Sequence, residues 1–257
     1  MRASLTAALV RKAGRQHLRD PLGLLLTLGT APFFVFFFAL VYRNDDSVTF
    51  EQFVPSLLIF AVIMLIFSTA MAIARETEAG TLERLRLTPM RAGDYLLATS
   101  FVQGLLGITS LFLTFLVALA LGFESQGAIS LALLVVATAA LSTIGMGVFV
   151  ASLARSVSQA FLIASLLMFL LLLFSGAIFP VPDLRTLSIL GVSLTALDLL
   201  PTVPAVRALS TVLLDDAAFG EIKADLGLIL FLSSLFFASG WWQWSSRQGN
   251  HLPRGLS

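Results

Sequence analysis

The sequence predicts an all-α membrane protein with six transmembrane helices, and composition and run length carry that prediction. Of its 257 residues, 58% are hydrophobic and only 12% are charged, whereas about a quarter of a soluble domain is charged. Several apolar runs reach the roughly 20 residues that a helix needs to cross a bilayer. Each such run must be helical, because lipid offers no hydrogen-bond partner to an exposed backbone amide.

Six apolar runs are long enough to span, and together they make one membrane domain over residues 22–244. They are Leu22–Tyr42, Phe53–Ala74, Tyr95–Gly122, Ala128–Ala154, Val157–Phe179 and Leu226–Trp244. None contains Asp, Glu, Lys, Arg or His. Because ion-coupled carriers bind their coupling ion through ionisable groups inside the membrane, this absence counts against that class of transporter. Residues 245–257 form a short tail after the last run.

The first element, residues 1–21, precedes the first span and reads as an amphipathic helix. Arg11, Arg15 and Arg19 recur every four residues, and Leu5, Ala8, Leu9 and Lys12 also lie at helical spacing. Such a helix lies on the membrane surface. Asp20 followed by Pro21 predicts its end, because proline begins helices but does not continue them.

The distribution of basic residues predicts the orientation of the six spans. The segments on the same side of the membrane as the N-terminus hold 12 of the 16 Lys and Arg residues, and the segments on the opposite side hold 4. Because positive residues stay in the cytoplasm, both termini and the segment between the second and third spans are expected to be cytoplasmic.

That cytoplasmic segment, residues 75–90, reads RETEAGTLERLRLTPM and predicts a short helix lying along the membrane surface. Gly80 breaks the helix that leaves the second span. Thr81 then caps a new helix by accepting a bond from an unpaired backbone N–H, and Pro89 prevents its continuation.

The positions of the charged and apolar residues within this short helix agree with its predicted ends. Glu83 falls in the first turn, where the helix dipole favours an acid, and Arg84 and Arg86 follow toward the opposite end. Leu82 and Leu85 supply an apolar stripe. The helix is either a surface that grips a soluble partner or a charged loop that only fixes the topology, and spacing leaves both open.

The outer segment 180–223 is apolar but repeatedly interrupted, and we expect short helices that dip into the outer leaflet. The interrupting residues are Asp183, Arg185, Asp198, Pro201, Pro204 and Arg207. Glycines in two spans permit close helix approach, although glycine is also simply tolerated in spans; they are Gly104, Gly107, Gly145 and Gly147.

The chain lacks the residues that several kinds of chemistry require. The chain has no cysteine, and its two histidines, His17 and His251, fall outside the spans and read as surface residues. No glycine-rich phosphate loop ending in Gly-Lys is present, so we expect no ATP hydrolysis and no bound cofactor or metal on this chain. A net charge of +1 argues against nucleic acid as a partner.

The segment 75–90 resembles the coupling-helix signature of ABC type-2 exporter permeases. The matching residues are Arg75, Glu76, Glu78, Gly80, Thr81, Leu82, Glu83, Leu85, Thr88 and Pro89. Two later blocks, Ser175–Leu184 and Leu199–Leu209, also look familial. The chain departs from the family at Val206 and Arg207, where related chains often carry an acidic residue.

The resemblance implies an exporter permease that moves an amphiphilic, drug-like, lipid or glycan molecule across the bacterial or archaeal inner membrane. It implies a second permease copy, membrane lipid, and a cytoplasmic ATPase subunit that holds ATP and Mg. The residues that it assigns to ATPase binding are Glu76, Glu78, Gly80, Thr81, Leu82, Glu83, Arg84, Leu85, Arg86 and Pro89. The alternatives are an ion-coupled carrier or channel, a membrane-embedded enzyme, and a membrane anchor that does not transport.

Overall fold

The structure is a computed structural model that describes residues 2–42, 50–80, 92–176, 185–189 and 192–249. The helices are α1 (Arg2–Arg19), α2 (Pro21–Val41), α3 (Phe50–Glu78), α4 (Ala92–Ala120), α5 (Ile129–Leu153), α6 (Val157–Phe174), α7 (Thr202–Asp215) and α8 (Phe219–Gly249). Six of them, α2 to α6 and α8, are long and apolar enough to cross a membrane. The six-span prediction is therefore confirmed.

Local sequence signals place the helix ends close to where they were expected. Asp20 separates α1 from α2, and its side chain accepts a hydrogen bond from the Gly23 backbone N–H at 3.0 Å. Pro21 occupies the first position of α2, where a missing N–H costs nothing. α3 ends at Glu78, and Gly80 follows with a φ of +65°, a left-handed conformation that glycine adopts without steric cost.

Two helices, α3 and α5, form the centre of the bundle. In their most apolar stretches, 78% of α3 and 67% of α5 is buried inside the chain, against 11% of α2 and 17% of α6. Ile59, Ile63 and Ile66 of α3 are fully buried, and Ile144 and Met146 of α5 are almost so. The outer helices α2 and α6 therefore turn most of their apolar surface away from the rest of this chain.

The two central helices approach each other at Gly147 of α5. A Cβ atom placed there would lie 2.6 Å from the Thr69 Cβ and 2.9 Å from the Ile66 carbonyl oxygen. Small residues permit such close backbone contact between membrane helices. Gly147 thus has a packing role inside one chain.

Replacing Gly147 by leucine should lower the stability of the protein in detergent by about 1–3 kcal/mol, because overpacking forces the two central helices apart. Thermal unfolding followed by size-exclusion chromatography measures the effect. Gly227→Leu in α8 is the matched control, because no atom lies within 4 Å of a Cβ placed there. Equal stability in the two variants would contradict the packing role.

The outer segment is only partly helical. Strands β1 (Arg185–Ile189) and β2 (Val192–Thr195) form an antiparallel pair with Ile189 opposite Val192, and a 3₁₀ turn, Ala196–Leu199, follows. In the described part of the segment, the α-helical residues are those of α7 and, from Phe219 on, the start of α8. The expectation of short helices did not foresee the strands, although polar and apolar residues alternate between Thr186 and Ile189 with the period of a strand.

Arg207 joins the outer segment to the last span. Its guanidinium lies 2.9 Å from the Asp198 carboxylate in the 3₁₀ turn and 2.5 Å from the Asp225 carboxylate in α8. Burial acts to lower the pKa of Arg207, but the hydrogen bonds and charges of Asp225 and Asp198 outweigh burial and raise it. The residue that departs from the family pattern therefore holds two carboxylates, one of them buried.

Candidate functional site

The charged ends of several helices meet at one end of the bundle, which we call the charged end. It comprises the last turns of α3, the second half of α1, the start of α4, and the turn between α5 and α6. Polar contacts between the helices hold it together, among them Lys12 to Glu76, the Val157 N–H to Glu78, and Ser152 to Gln243 of α8. The predicted coupling segment, residues 75–90, begins at this end, and the structure describes it as far as Gly80.

Glu76 points inward from α3 and pairs with α1. Glu76 as a whole is only 8% exposed, and its Oε2 lies 2.7 Å from the Lys12 Nζ. A carboxylate this far from water requires a cation and hydrogen bonds to remain charged. The pair therefore fixes α1 against the end of α3.

A second polar link joins α1 to α4 through a fully buried amide. The side chain of Gln103, 0% exposed, accepts a hydrogen bond from the Ser68 hydroxyl at 2.9 Å. Its Nε2 lies 3.3 Å from the His17 Nε2. An amide nitrogen can only donate, so a hydrogen bond to the His17 Nε2 requires the neutral ring that carries its proton on Nδ1.

The surroundings of His17 favour this neutral form. Burial lowers the pKa of His17, the positive charge of Arg75 lowers it further, and Asp20 acts in the opposite direction. The folded protein therefore binds this proton less readily than the unfolded chain, in which the pKa has its ordinary value of 6.5. The contribution of His17 to stability is complete above that value and is lost as the pH falls below it.

Lowering the pH from about 7.5 to about 5.5 should accordingly weaken the attachment of α1. Thermal stability measured at both pH values should fall more in the wild type than in His17→Gln, which keeps a polar side chain and has no proton to gain. Identical pH profiles in the two proteins would contradict the link.

A small polar cavity lies behind these contacts. Its volume is about 110 Å³, and its polar lining residues are Lys12, His17, Asp20, Arg75, Glu76, Tyr95, Thr99 and Gln103. It shares His17, Asp20, Ala72 and Arg75 with a larger groove of about 470 Å³ between α2, α3 and α6. That groove is lined by large apolar side chains, among them Met64, Phe67, Met71, Phe161 and Met168, and by the hydroxyl side chains of Thr27, Thr30, Ser68 and Ser165.

Glu78 points away from α1 toward the start of α6. Its Oε2 accepts a hydrogen bond from the Val157 backbone N–H at 2.8 Å. Ser156 caps the same helix, since its hydroxyl oxygen accepts from the Gln159 N–H. The positive end of the α6 dipole favours a carboxylate at this place.

The described residues contain only part of the predicted ATPase-binding set. Glu76, Glu78 and Gly80 lie at the charged end; Thr81, Leu82, Glu83, Arg84, Leu85, Arg86 and Pro89 lie outside the described residues. Sequence reasoning missed Lys12, Tyr95 and Gln103, and interpreted His17 as a surface residue. The signal for Gln103 was present, because it is an amide within an apolar run. In the described part of the chain, no group of three His, Asp or Glu side chains could hold a metal ion.

Comparison with known proteins identifies the family. Residues 4–213 match the family model described as ABC-2 type transporter. The chain belongs to this family. The predicted resemblance is thereby confirmed, and with the six apolar helices it makes this ABC-2 chain a multi-pass membrane protein.

Curated relatives are similar over part of their length. The inner membrane transport permease YhhJ of Escherichia coli K12 is 28% identical over 177 residues, which is 68% of this chain and 46% of the relative. The protein of the same name from Shigella flexneri matches to the same extent. The chain thus spans about half the length of the curated relatives it matches.

Proposed function

We propose that this ABC-2 chain is the membrane-spanning permease subunit of an ATP-binding-cassette exporter. It moves an amphiphilic molecule (a drug-like compound, a lipid or a glycan-bearing lipid) outward across the inner membrane. ATP and Mg are bound by a separate ATPase subunit. The observation that carries the proposal is the family match over residues 4–213.

The charged end is the face that meets the ATPase in the cytoplasm. The segments that the sequence predicts on the cytoplasmic side hold 12 of the 16 basic residues, because positive residues stay in the cytoplasm. Gly80 ends α3 with a left-handed φ of +65°, so the chain leaves the axis of α3 there. The following residues, Thr81 to Pro89, supply the surface that binds the ATPase.

The polar cavity and the groove that joins it suit an amphiphile. A polar headgroup fits against Asp20 and Arg75, whose carboxylate and guanidinium lie 3.8 Å apart. An apolar body fits against the methionine and phenylalanine side chains of the groove, and polar groups on it can meet the hydroxyls of Thr27, Thr30, Ser68 and Ser165. The methionines among them adapt to ligands of irregular shape. The volumes, about 110 and 470 Å³, together fall within the range of small-molecule sites.

A second permease copy completes the pathway. α2 and α6, which flank the groove, are the least buried spans, at 11% and 17%. Their exposed apolar side chains, such as Phe33, Phe37 and Phe169, face either lipid or the second copy. Pairing across this face would enclose the groove between two chains.

Gentle purification of the tagged protein from native membranes tests the proposal. Mass spectrometry should identify a soluble ATP-binding-cassette ATPase in stoichiometric amount. Reconstituted vesicles of that complex should then hydrolyse ATP faster than the isolated ATPase. An ATPase that never associates with the chain would contradict the proposal.

A further inference from the structure

The two glutamates at the end of α3 reach in different directions. Glu76 and Glu78 are two residues apart, which places them about 200° apart around a helix of 3.6 residues per turn. Glu76 pairs with Lys12 of α1 at 2.7 Å, whereas Glu78 accepts from the Val157 N–H of α6 at 2.8 Å. The last turn of α3 is therefore held on one side by α1 and on the other by α6.

Small side chains bring the ends of α3, α5 and α6 close enough for the Glu78 contact. Ala74, Ala154 and Ala160 form one buried cluster, at 5%, 6% and 0% exposure. Alanine has no side-chain torsion that could absorb a displacement. A movement of the end of α3 is therefore passed to its neighbours.

α6 is the neighbour that such a movement displaces most readily. Only 17% of its most apolar stretch is buried in the chain, against 67% for α5. Within α6 the fully buried side chains are Ala160, Ala164 and Leu171. Displacing α6 thus disturbs fewer packed side chains than displacing α5.

We propose that Glu78 is a positioning residue that passes movement of the coupling segment to α6 through its bond to the Val157 N–H. The inference rests on the proposed function, because the movement originates in the ATPase. Glu76 and Lys12 hold α1 to the other side of the same turn. α6 flanks the groove, so its displacement changes the width of the groove when ATP binds.

Hydrogen–deuterium exchange of the complete permease–ATPase complex in nanodiscs tests this role directly, because the Val157 amide is itself the donor. Exchange is compared in ADP and in MgATP with vanadate, in the peptide that covers the first turn of α6. In the wild type, exchange in this peptide should differ between the two nucleotide states. In Glu78→Ala, exchange should be severalfold faster and the same in both states, and Glu78→Gln, which keeps an acceptor, should retain part of the response.

Ser156→Ala is the matched control. It removes the other cap of α6 and frays the same turn, but leaves the Glu78 bond in place, so its exchange should be faster in both states and still differ between them. The proposal is overturned if Glu78→Ala keeps the nucleotide response, if Ser156→Ala loses it equally, or if the first turn of the wild type shows no response. Failure of the proposed function is a separate observation, since the wild-type chain would then retain no ATPase.

Discussion

Replacing Glu76 by lysine should release α1 from the charged end and abolish the ATPase stimulation that we expect from the assembled complex. The new cation would face Lys12 where the native carboxylate is 11% exposed. Two like charges 4 Å apart repel by about 4 kcal/mol at an effective dielectric constant of 20. The Lys12 side chain, 42% exposed, relieves part of this repulsion by turning toward water, but α1 then loses the ion pair that attached it to α3.

The release of α1 can be followed by limited trypsin digestion, because Arg11 and Arg15 lie on α1. Cleavage there should be much faster in Glu76→Lys than in the wild type, while membrane insertion is unchanged. The charge swap Lys12→Glu with Glu76→Lys restores an opposite pair and should recover most of the protection. A swap that is cleaved as fast as the single variant would show that the pair does not hold α1.

Replacing Arg207 by methionine should cause the largest loss of stability at the outer end of the protein. Asp198 is 2% exposed. Removing the Arg207 guanidinium takes away the positive charge that stabilises this buried carboxylate, which costs about 1–3 kcal/mol. Thermal unfolding in detergent measures the loss. Lys223→Met, which removes an exposed cation from the same region, should change stability little.

A second substitution separates the charge effect from packing around Arg207. Adding Asp198→Asn to Arg207→Met removes the buried charge that Arg207 neutralises and should recover part of the lost stability. If the double variant is as unstable as Arg207→Met, the loss comes from packing of the arginine side chain rather than from the charge of Asp198.

The six spans, and the helix ends at Asp20, Pro21 and Gly80, could be predicted because their causes are local. The start of α8 was not, since this helix begins at Phe219 and not at Leu226. Run length alone identifies a membrane helix, and the Asp20–Pro21 pair ends one helix and begins the next through its own backbone chemistry. Gly80 stops α3 because glycine readily adopts a positive φ. The strands at Arg185–Ile189 and Val192–Thr195 were not predicted, because the two-residue alternation covers only a few residues of a segment that is largely apolar.

The contacts of the charged end could not be predicted from spacing. Lys12 and Glu76 are 64 residues apart, and Val157 and Glu78 are 79 apart, so their meeting depends on how α1 and α6 pack against α3. The family resemblance assigned both glutamates to ATPase binding, and the structure places both in contacts with other helices of this chain. Their assignment to direct ATPase contact stays a prediction, as does that of Thr81, Glu83 and Pro89.

For the glycines, the sequence predicted close helix approach but not which helix is approached. The sequence offered Gly107 and Gly147 as sites of close approach without naming the partner helix. In the structure, a Cβ at Gly107 would lie 2.5 Å from a Leu65 methyl carbon, and Gly147 faces Thr69. Both approaches are made to α3, which explains why that span is the most buried.

The most direct test of the account is affinity purification of the wild type beside two charge-reversal variants, Glu83→Lys in the coupling segment and Glu124→Lys at the other end of the bundle. We predict that a soluble ATP-binding-cassette ATPase accompanies the wild type and Glu124→Lys in equal amount and is lost from Glu83→Lys, although all three proteins reach the membrane. A wild-type protein that purifies without any ATPase, or an ATPase that Glu83→Lys retains in full, would contradict the central claim that this segment joins the permease to its source of energy.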